Sequence, residues 1–274
     1  MAKLLKIGIV GCGAIGSSLA KRIAKQFLRQ AQISALFDID TKKSLLLANS
    51  LRGNKFIAVK SLNELIQKSD LVIEASSASA SWDIAQKALR KKRDIMIMSV
   101  GGIIGNYLKL FNLAKANNAK AYIPSGAISG IDALKASALG KIKTVTLTTF
   151  KNPLSFQGVK YILDKKIALN KIRKETVLFS GSAKDAVKYF PQNINVAAIL
   201  SIAGLGAVKT KVRIVASPKI SRNIHQIEIT SEAGKVFTRT ENVLHPGNPK
   251  TSYLAFLSAV ATLKQILEPV KIGT

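Results

Sequence analysis

Cysteine, tryptophan and histidine are almost missing from this chain of 274 residues, which holds one, one and two of them. A lone Cys12 excludes an internal disulfide and a multi-cysteine metal centre, and it fits a reducing compartment. Because it sits inside a glycine-rich turn, it reads as a small residue filling a tight corner, not as a nucleophile or redox sensor. No cluster of metal-ligand types appears elsewhere, so no metal is expected. Long hydrophobic runs are missing as well. Apolar residues make up 47% of the chain, yet no run approaches the roughly 20 residues of a spanning helix, and no membrane association is expected. The first residues enter a strand without the charged, apolar and small-residue order of a secretion signal, which makes the cytoplasm the expected location. Internal repeats and low-complexity linkers are absent, and the length suits two ordinary domains.

Acids are scarce too: 15 Asp and Glu stand against 42 Lys and Arg, a net charge of +27. Such a balance invites a nucleic-acid reading. The basic residues, however, fall in short scattered groups (Lys42-Lys43, Arg90 to Arg93, Lys165-Lys166, Lys171 to Lys174) that read as solvated helix faces and turns. Aromatics that would stack bases make up 6% of the chain, and no RNA-recognition, zinc-finger or basic-zipper pattern is present. No specific nucleic-acid partner is expected, only weak nonspecific binding at low salt.

What is present is an apolar strand-like run that breaks into a glycine-spaced turn and continues as a helix, from Lys6 through Gly11-Cys12-Gly13-Ala14-Ile15-Gly16 to Ile23. In that context G-x-G-x-x-G brings backbone N–H groups and a helix start against a pyrophosphate, so Gly11, Gly13, Ala14, Ile15 and Gly16 are the candidate phosphate cradle. A second apolar run ends at Asp38, 22 residues beyond Gly16, where a dinucleotide fold places an acid on the adenosine ribose. A carboxylate there favours NAD by repelling a 2′-phosphate. Nearby Lys42 and Lys43 soften that preference, and NADP stays open. Asp40 reads better as the cap of a helix starting near Thr41.

Strand and helix patterns then alternate. A capped helix begins at Ser61, a buried strand covers Asp70 to Ala75, a small-residue loop Ser76 to Ser81, a helix Trp82 to Lys91, and a strand Asp94 to Val100. A short strand ending at Pro124 feeds the loop Ser125 to Gly130 and another helix. Beyond about residue 140, Lys143–Phe150, Lys211–Val215, Ile224–Ile229 and Lys235–Arg239 alternate like antiparallel strands with one wet face, with apolar helices near Ala183–Tyr189 and Asn195–Ala207 to cover the other. The expected fold is therefore α/β, a Rossmann-type doubly wound parallel sheet with a second α+β domain carrying a mixed or antiparallel sheet. The dinucleotide-binding domain is assigned to 1–120 plus a returning helix in 246–274, and the catalytic and dimerisation domain to 121–245. Asn248-Pro249 reads as a helix start, and Lys250, Thr251 and Ser252 beside it as an anion pocket for substrate carboxylates.

Hydride transfer also needs a proton acceptor, and histidine titrates nearest to neutrality. His225, in an alternating strand, reads equally as an ordinary half-buried histidine and as the acid–base group. His245, in a Pro-Gly turn, faces either substrate or solvent. Asn193 and Asn195 read as helix caps or as partners of a carboxamide.

Taken together, Gly11–Gly16, Pro124-Ser125-Gly126-Ala127-Ile128-Ser129-Gly130-Ile131-Asp132-Ala133, Phe190-Pro191-Gln192-Asn193-Ile194-Asn195-Val196-Ala197-Ala198, Asn223-Ile224-His225 and Asn248-Pro249-Lys250-Thr251-Ser252 make the chain resemble the L-aspartate dehydrogenases over nearly its whole length. The resemblance implies NAD(P)-dependent oxidative deamination of L-aspartate to iminosuccinate, hydrolysed to oxaloacetate and ammonia or passed into NAD biosynthesis. It further implies a homodimer, His225 as the active-site residue, and Ser129 and Asn195 as cofactor contacts. Two departures from the family pattern stand near the presumed site: Gly102, where alanine usually follows the first glycine, and His245, where serine is commoner. The alternatives are another amino-acid dehydrogenase of related architecture, of the homoserine type, and a basic nucleic-acid-binding redox sensor.

Overall fold

The computed structural model describes residues 3–51, 57–190, 194–246 and 248–273. It separates into two units, residues 1–124 with 256–271 and residues 125–255 with 272–274.

In the first unit, β1 (Leu5–Val10) runs from an exposed start into four buried residues and stops at the glycine turn, from which α1 (Ala14–Gln26) departs. β2 (Ala31–Phe37), β3 (Leu71–Glu74), β4 (Asp94–Ile97) and β5 (Ala121–Tyr122) complete a parallel sheet in the order β2-β1-β3-β4-β5. A single bridge between Leu36 and Ala58, with the Val59 N–H donating to the Leu36 carbonyl, sets a vestigial strand outside β2. Counting it, the order is that of a Rossmann sheet, with the topological switch between β1 and β3. α2 (Thr41–Ser50) is capped by Asp40, whose side chain accepts from the Lys42 N–H, as expected for that acid. α3 (Leu62–Gln67) is capped by Ser61.

α4 (Ala78–Arg90) starts four residues earlier than expected. Ala and Ser in its first turn bring its backbone so close to the β4 side that a Cβ on Gly102 would overlap the Ala78 carbonyl. That close approach explains glycine at the position where alanine is usual. After α5 (Tyr107–Ala116), the unit is closed by residues from the last helix of the chain, where Phe256, Ala259 and Leu263 are buried and the Arg22 guanidinium lies 5.7 Å from the centre of the Phe256 ring.

In the second unit, α6 (Ile131–Ser137) precedes β6 (Ile142–Lys151). α7 (Lys160–Asp164), β7 (Thr176–Ser182), α8 (Ala183–Tyr189), α9 (Ile194–Ala203), α10 (Gly206–Lys209), β8 (Lys211–Ala216), β9 (Asn223–Ser231) and β10 (Gly234–Asn242) follow. The sheet order is β10-β9-β6-β8-β7, and it is mixed. β6 and β8 pair in parallel, contrary to the antiparallel pattern read from their alternation. Alternation reports one wet face and not strand direction, and the crossover through β7, α8 and α9 is long enough to return the chain the same way.

The expected helix start at Asn248-Pro249 is a strand instead. β11 (Leu244–His245) and β12 (Asn248–Ser252) form a two-stranded ribbon, and α11 (Tyr253–Leu267) begins only at Tyr253. Proline is tolerated on such an edge because it owes no ladder donor there. The helix N-terminus expected at Pro249 is therefore not there to serve an anion pocket.

The buried face of the second sheet changes character along its strands. Val145, Leu147, Ile227 and Ile229 are at most 1% exposed. Two residues further along β6, and two residues earlier along β9, the same face carries Thr149 and His225, which are register partners, and His225 in turn pairs with Thr240. The next row holds Lys151 on β6 and the paired Asn223 and Asn242. Hydrophobic burial stabilises the lower rows, and the polar groups gather at one end.

Candidate functional site

In the first unit the candidate site element is the turn between β1 and α1. Gly11 has φ +91° and a Cβ there would overlap the Ala75 carbonyl, while a Cβ on Gly16 would overlap the Gly11 carbonyl oxygen. Packing within the protein thus explains both glycines. Gly13 is different, with φ −71° and no atom within 4 Å of the place where a Cβ would stand. Neither strain nor packing requires glycine at that point, which is what a close-approaching external group would leave behind. α1 has no side-chain cap and no acid in its first turn, so its leading N–H groups at Ala14 and Ile15 are suited to an anion. These features fit the pyrophosphate of a dinucleotide.

Asp38 stands at the end of β2, half-buried. Its Oδ2 accepts from the Cys12 N–H at 2.7 Å and its Oδ1 from the Asp40 N–H at 2.9 Å. The carboxylate is fixed beside the glycine turn with lone pairs left to accept further hydrogen bonds. Lys43 is drawn towards Asp40, 3.7 Å away. Cys12 is buried, and that burial, with the Asp38 charge second, pushes its thiol up to about 12. It is not a nucleophile at neutral pH.

Glu74, which sequence reasoning passed over, is fully buried at the end of β3. One carboxylate oxygen accepts from both the N–H and the hydroxyl of Ser76, each at 2.8 Å, and the other from the Ser99 N–H at 2.9 Å. It ties together the loops that leave the carboxyl ends of β3 and β4, the edge at which doubly wound sheets bind ligands. An acid closing the apolar run Leu71-Val72-Ile73 was the available signal.

In the second unit the candidate site element is the polar end of its sheet. His225 is 6% exposed and its Nδ1 lies 3.0 Å from the Thr149 hydroxyl. Burial first, and the Lys151 charge second, push the imidazole down to about 4, so the ring is neutral at neutral pH. When Nδ1–H donates to Thr149, Nε2 is left as a proton acceptor. Burial also lowers the pKa of Lys151 itself.

The loop of residues 125–130 is fastened to β10. Ser129, exposed, meets the Thr240 hydroxyl at 3.0 Å, and the Asn242 amide donates to the Ala127 carbonyl at 3.1 Å. Asn242, 2% exposed, also accepts from the Ser252 hydroxyl, so one buried amide holds both the Ser129 loop and β12. No local pattern announces this link, because its three parts lie far apart along the chain. Thr251 and Ser252 are half-buried on β12, whereas the Lys250 side chain and Asn193 lie outside the described residues. His245 is 8% exposed with its ring edge-on to Tyr253 at 5.5 Å, so it does not face solvent. Asn195 is exposed in the first turn of α9. Among the described residues there is no group of acids, histidines and cysteine able to hold a metal.

A Rossmann sheet with an uncapped glycine turn in one unit, and a sheet bearing a buried neutral histidine in the other, are the marks of a pyridine-nucleotide-dependent oxidoreductase. Residues 11–124 match the NAD-binding domain of homoserine dehydrogenase, and residues 132–266 match the family described as aspartate dehydrogenase, C-terminal. The chain is 47% identical over 273 residues to an L-aspartate dehydrogenase of Methanosarcina barkeri, covering 99% of this chain and all of that one. It is 41% identical over 275 residues to one from Methanococcus maripaludis, at the same coverage. The fold matches the crystal structure of aspartate dehydrogenase from Thermotoga maritima with a TM-score of 0.73, 24% identity, and 99% and 100% of the two chains covered. The chain belongs to the L-aspartate dehydrogenase family.

Proposed function

We propose that the chain oxidises L-aspartate with NAD, releasing iminosuccinate that water converts to oxaloacetate and ammonia. The observation that carries this reading is His225, held neutral at the polar end of an otherwise apolar sheet face. A dinucleotide at the glycine turn supplies the hydride acceptor. The chain's own groups do the rest. Asp38 receives the ribose hydroxyls, the α1 N–H groups receive the pyrophosphate, and Ser129 and Asn195 serve the nicotinamide end. His225 takes the proton released as the substrate amine becomes an imine, or orients the water that hydrolyses it. Thr251, Ser252, Lys250 and His245 contribute to holding the substrate.

The test is an amino-acid panel with both nucleotides. L-Aspartate is expected to turn over, with homoserine and other amino acids at least ~100-fold poorer in kcat/KM, since buried polar partners reject substrates that fail to pair them. Preferential turnover of homoserine would overturn the reading. NAD is expected to be preferred because Asp38 repels a 2′-phosphate. Asp38→Ser should shift the NAD to NADP ratio of kcat/KM by at least ~10-fold towards NADP, and an unchanged ratio would remove Asp38 from that role.

Two further readings go with this one. A cytoplasmic location is proposed; no helix among the described residues is long and apolar enough to cross a membrane. Homodimerisation is proposed through the other face of the second sheet, where Lys211, Arg213, Glu228, Phe237, Arg239 and Glu241 are exposed. Sedimentation of the purified chain counts the copies.

A further inference from the structure

The polar end of the His225 face holds a cation that forms no ion pair among the described residues. Lys151 is the last residue of β6, two beyond Thr149, whose hydroxyl meets His225. The pleat puts residues two apart on the same face, so Lys151, Thr149 and His225 share one side of the sheet. Their floor is apolar, formed by Leu147 and Ile227. Among the described residues Lys151 enters none of the six ion pairs and no side-chain hydrogen bond.

A half-buried ammonium without a counter-charge is costly, because desolvation is not offset by a partner. It also acts on a ring kept neutral, and the nearby Glu175 carboxylate, which accepts from the Ser217 hydroxyl at 3.1 Å, forms no ion pair with it. An incoming anion supplies the missing charge and makes a charge-assisted hydrogen bond there. The other chemistry-bearing groups of the row, Asn223 and Asn242, are neutral amides, and Asn242 is already committed to Ala127 and Ser252. Lys151 is not one of the residues of the anion pocket expected at Lys250 to Ser252, and alternation alone gave no reason to single it out.

We propose that Lys151 receives a carboxylate of the substrate, and that this contact selects a dicarboxylic amino acid and sets its α-carbon beside His225. The proposal rests on the aspartate reading for the identity of the substrate, but not for the anion site itself. Succinate, which has both carboxylates and no amine to oxidise, is the probe. Its binding to the NADH-loaded protein is measured by calorimetry for the wild type, Lys151→Met and Lys151→Arg.

Lys151→Met is expected to weaken succinate binding by about 100-fold and to raise the KM for L-aspartate by a similar factor with kcat changed only a few-fold, as truncating one partner of a buried charge pair does. Lys151→Arg keeps the charge and is expected to restore succinate binding to within about tenfold of the wild type. NADH affinity stays the same in all three and reports that each is folded. If Lys151→Met does not fold, Lys151→Gln replaces it with the same expectation. A wild type that binds no succinate, or a Met or Gln variant that binds it as well as the wild type does, overturns the proposal. A wild type that binds succinate through Lys151 yet leaves L-aspartate unoxidised with both nucleotides overturns the proposed reaction and supports the anion site.

Discussion

His225→Gln is expected to lower kcat for L-aspartate by about 10²–10⁴-fold, the usual contribution of a positioned proton-transfer group, with NADH affinity unchanged. Glutamine keeps a hydrogen-bonding side chain beside Thr149 but cannot take up a proton. Full turnover in the variant would remove His225 from the chemistry. Loss of NADH binding would recast it as structural. The pH dependence follows from the same ring. Burial and Lys151 hold its pKa at about 4, below the ordinary 6.5, so the acid limb of kcat/KM is expected near pH 4.

Stability shifts in the corresponding direction. Between pH 6.5 and about 4 the unfolded chain binds the proton and the native chain does not. This contribution to stability is therefore complete above pH 6.5 and is lost as pH falls through that window, by about 3 kcal/mol in all. Urea melts of wild type and His225→Gln at pH 7 and pH 4.5 check it. The variant should lose less on acidification, and parallel losses would contradict the assignment.

Gly13→Ala should weaken NADH binding by at least about 10-fold with the melting temperature little changed, because a Cβ there has no protein atom within 4 Å and would stand between the backbone and the proposed pyrophosphate. Gly16→Ala, one turn away, should do the reverse in emphasis. Its methyl group overlaps the Gly11 carbonyl, and overpacking of that kind costs about 1–3 kcal/mol in stability. Calorimetric titration with NADH and thermal melts of the two variants separate a glycine kept for a ligand from one kept for packing. A Gly13→Ala protein that binds NADH normally would mean that the open space beside Gly13 is not where the dinucleotide lies.

The features readable in the sequence were those written in consecutive residues. The glycine turn, the cap at Asp40 and the acid at Asp38 need only one strand, one turn and one helix, and the structure forms all three. The alternation of β6, β8 and β9 likewise announced a half-buried sheet. The direction of β8 relative to β6 did not appear, because it is decided by the crossover between them. Pro249 misled in a simple way: the residues that open a helix also suit the edge of a ribbon, and pairing with Leu244 and His245 decided the matter. Lys151 and Asn242 escaped notice for a third reason. Each matters through neighbours on other strands, and cross-strand register is a property of the folded sheet.

The polarity step between Leu147 and Thr149 on β6, mirrored between Ile227 and His225 on β9, divides the labour of single strands by position. Drift in the lower rows is constrained by the fold itself, while the upper rows rest on that foundation and can exchange side chains without unseating it. A lineage carrying this sheet is thus free to explore new small-molecule substrates by changing a handful of strand-end residues, keeping the scaffold and its nucleotide partner as they are.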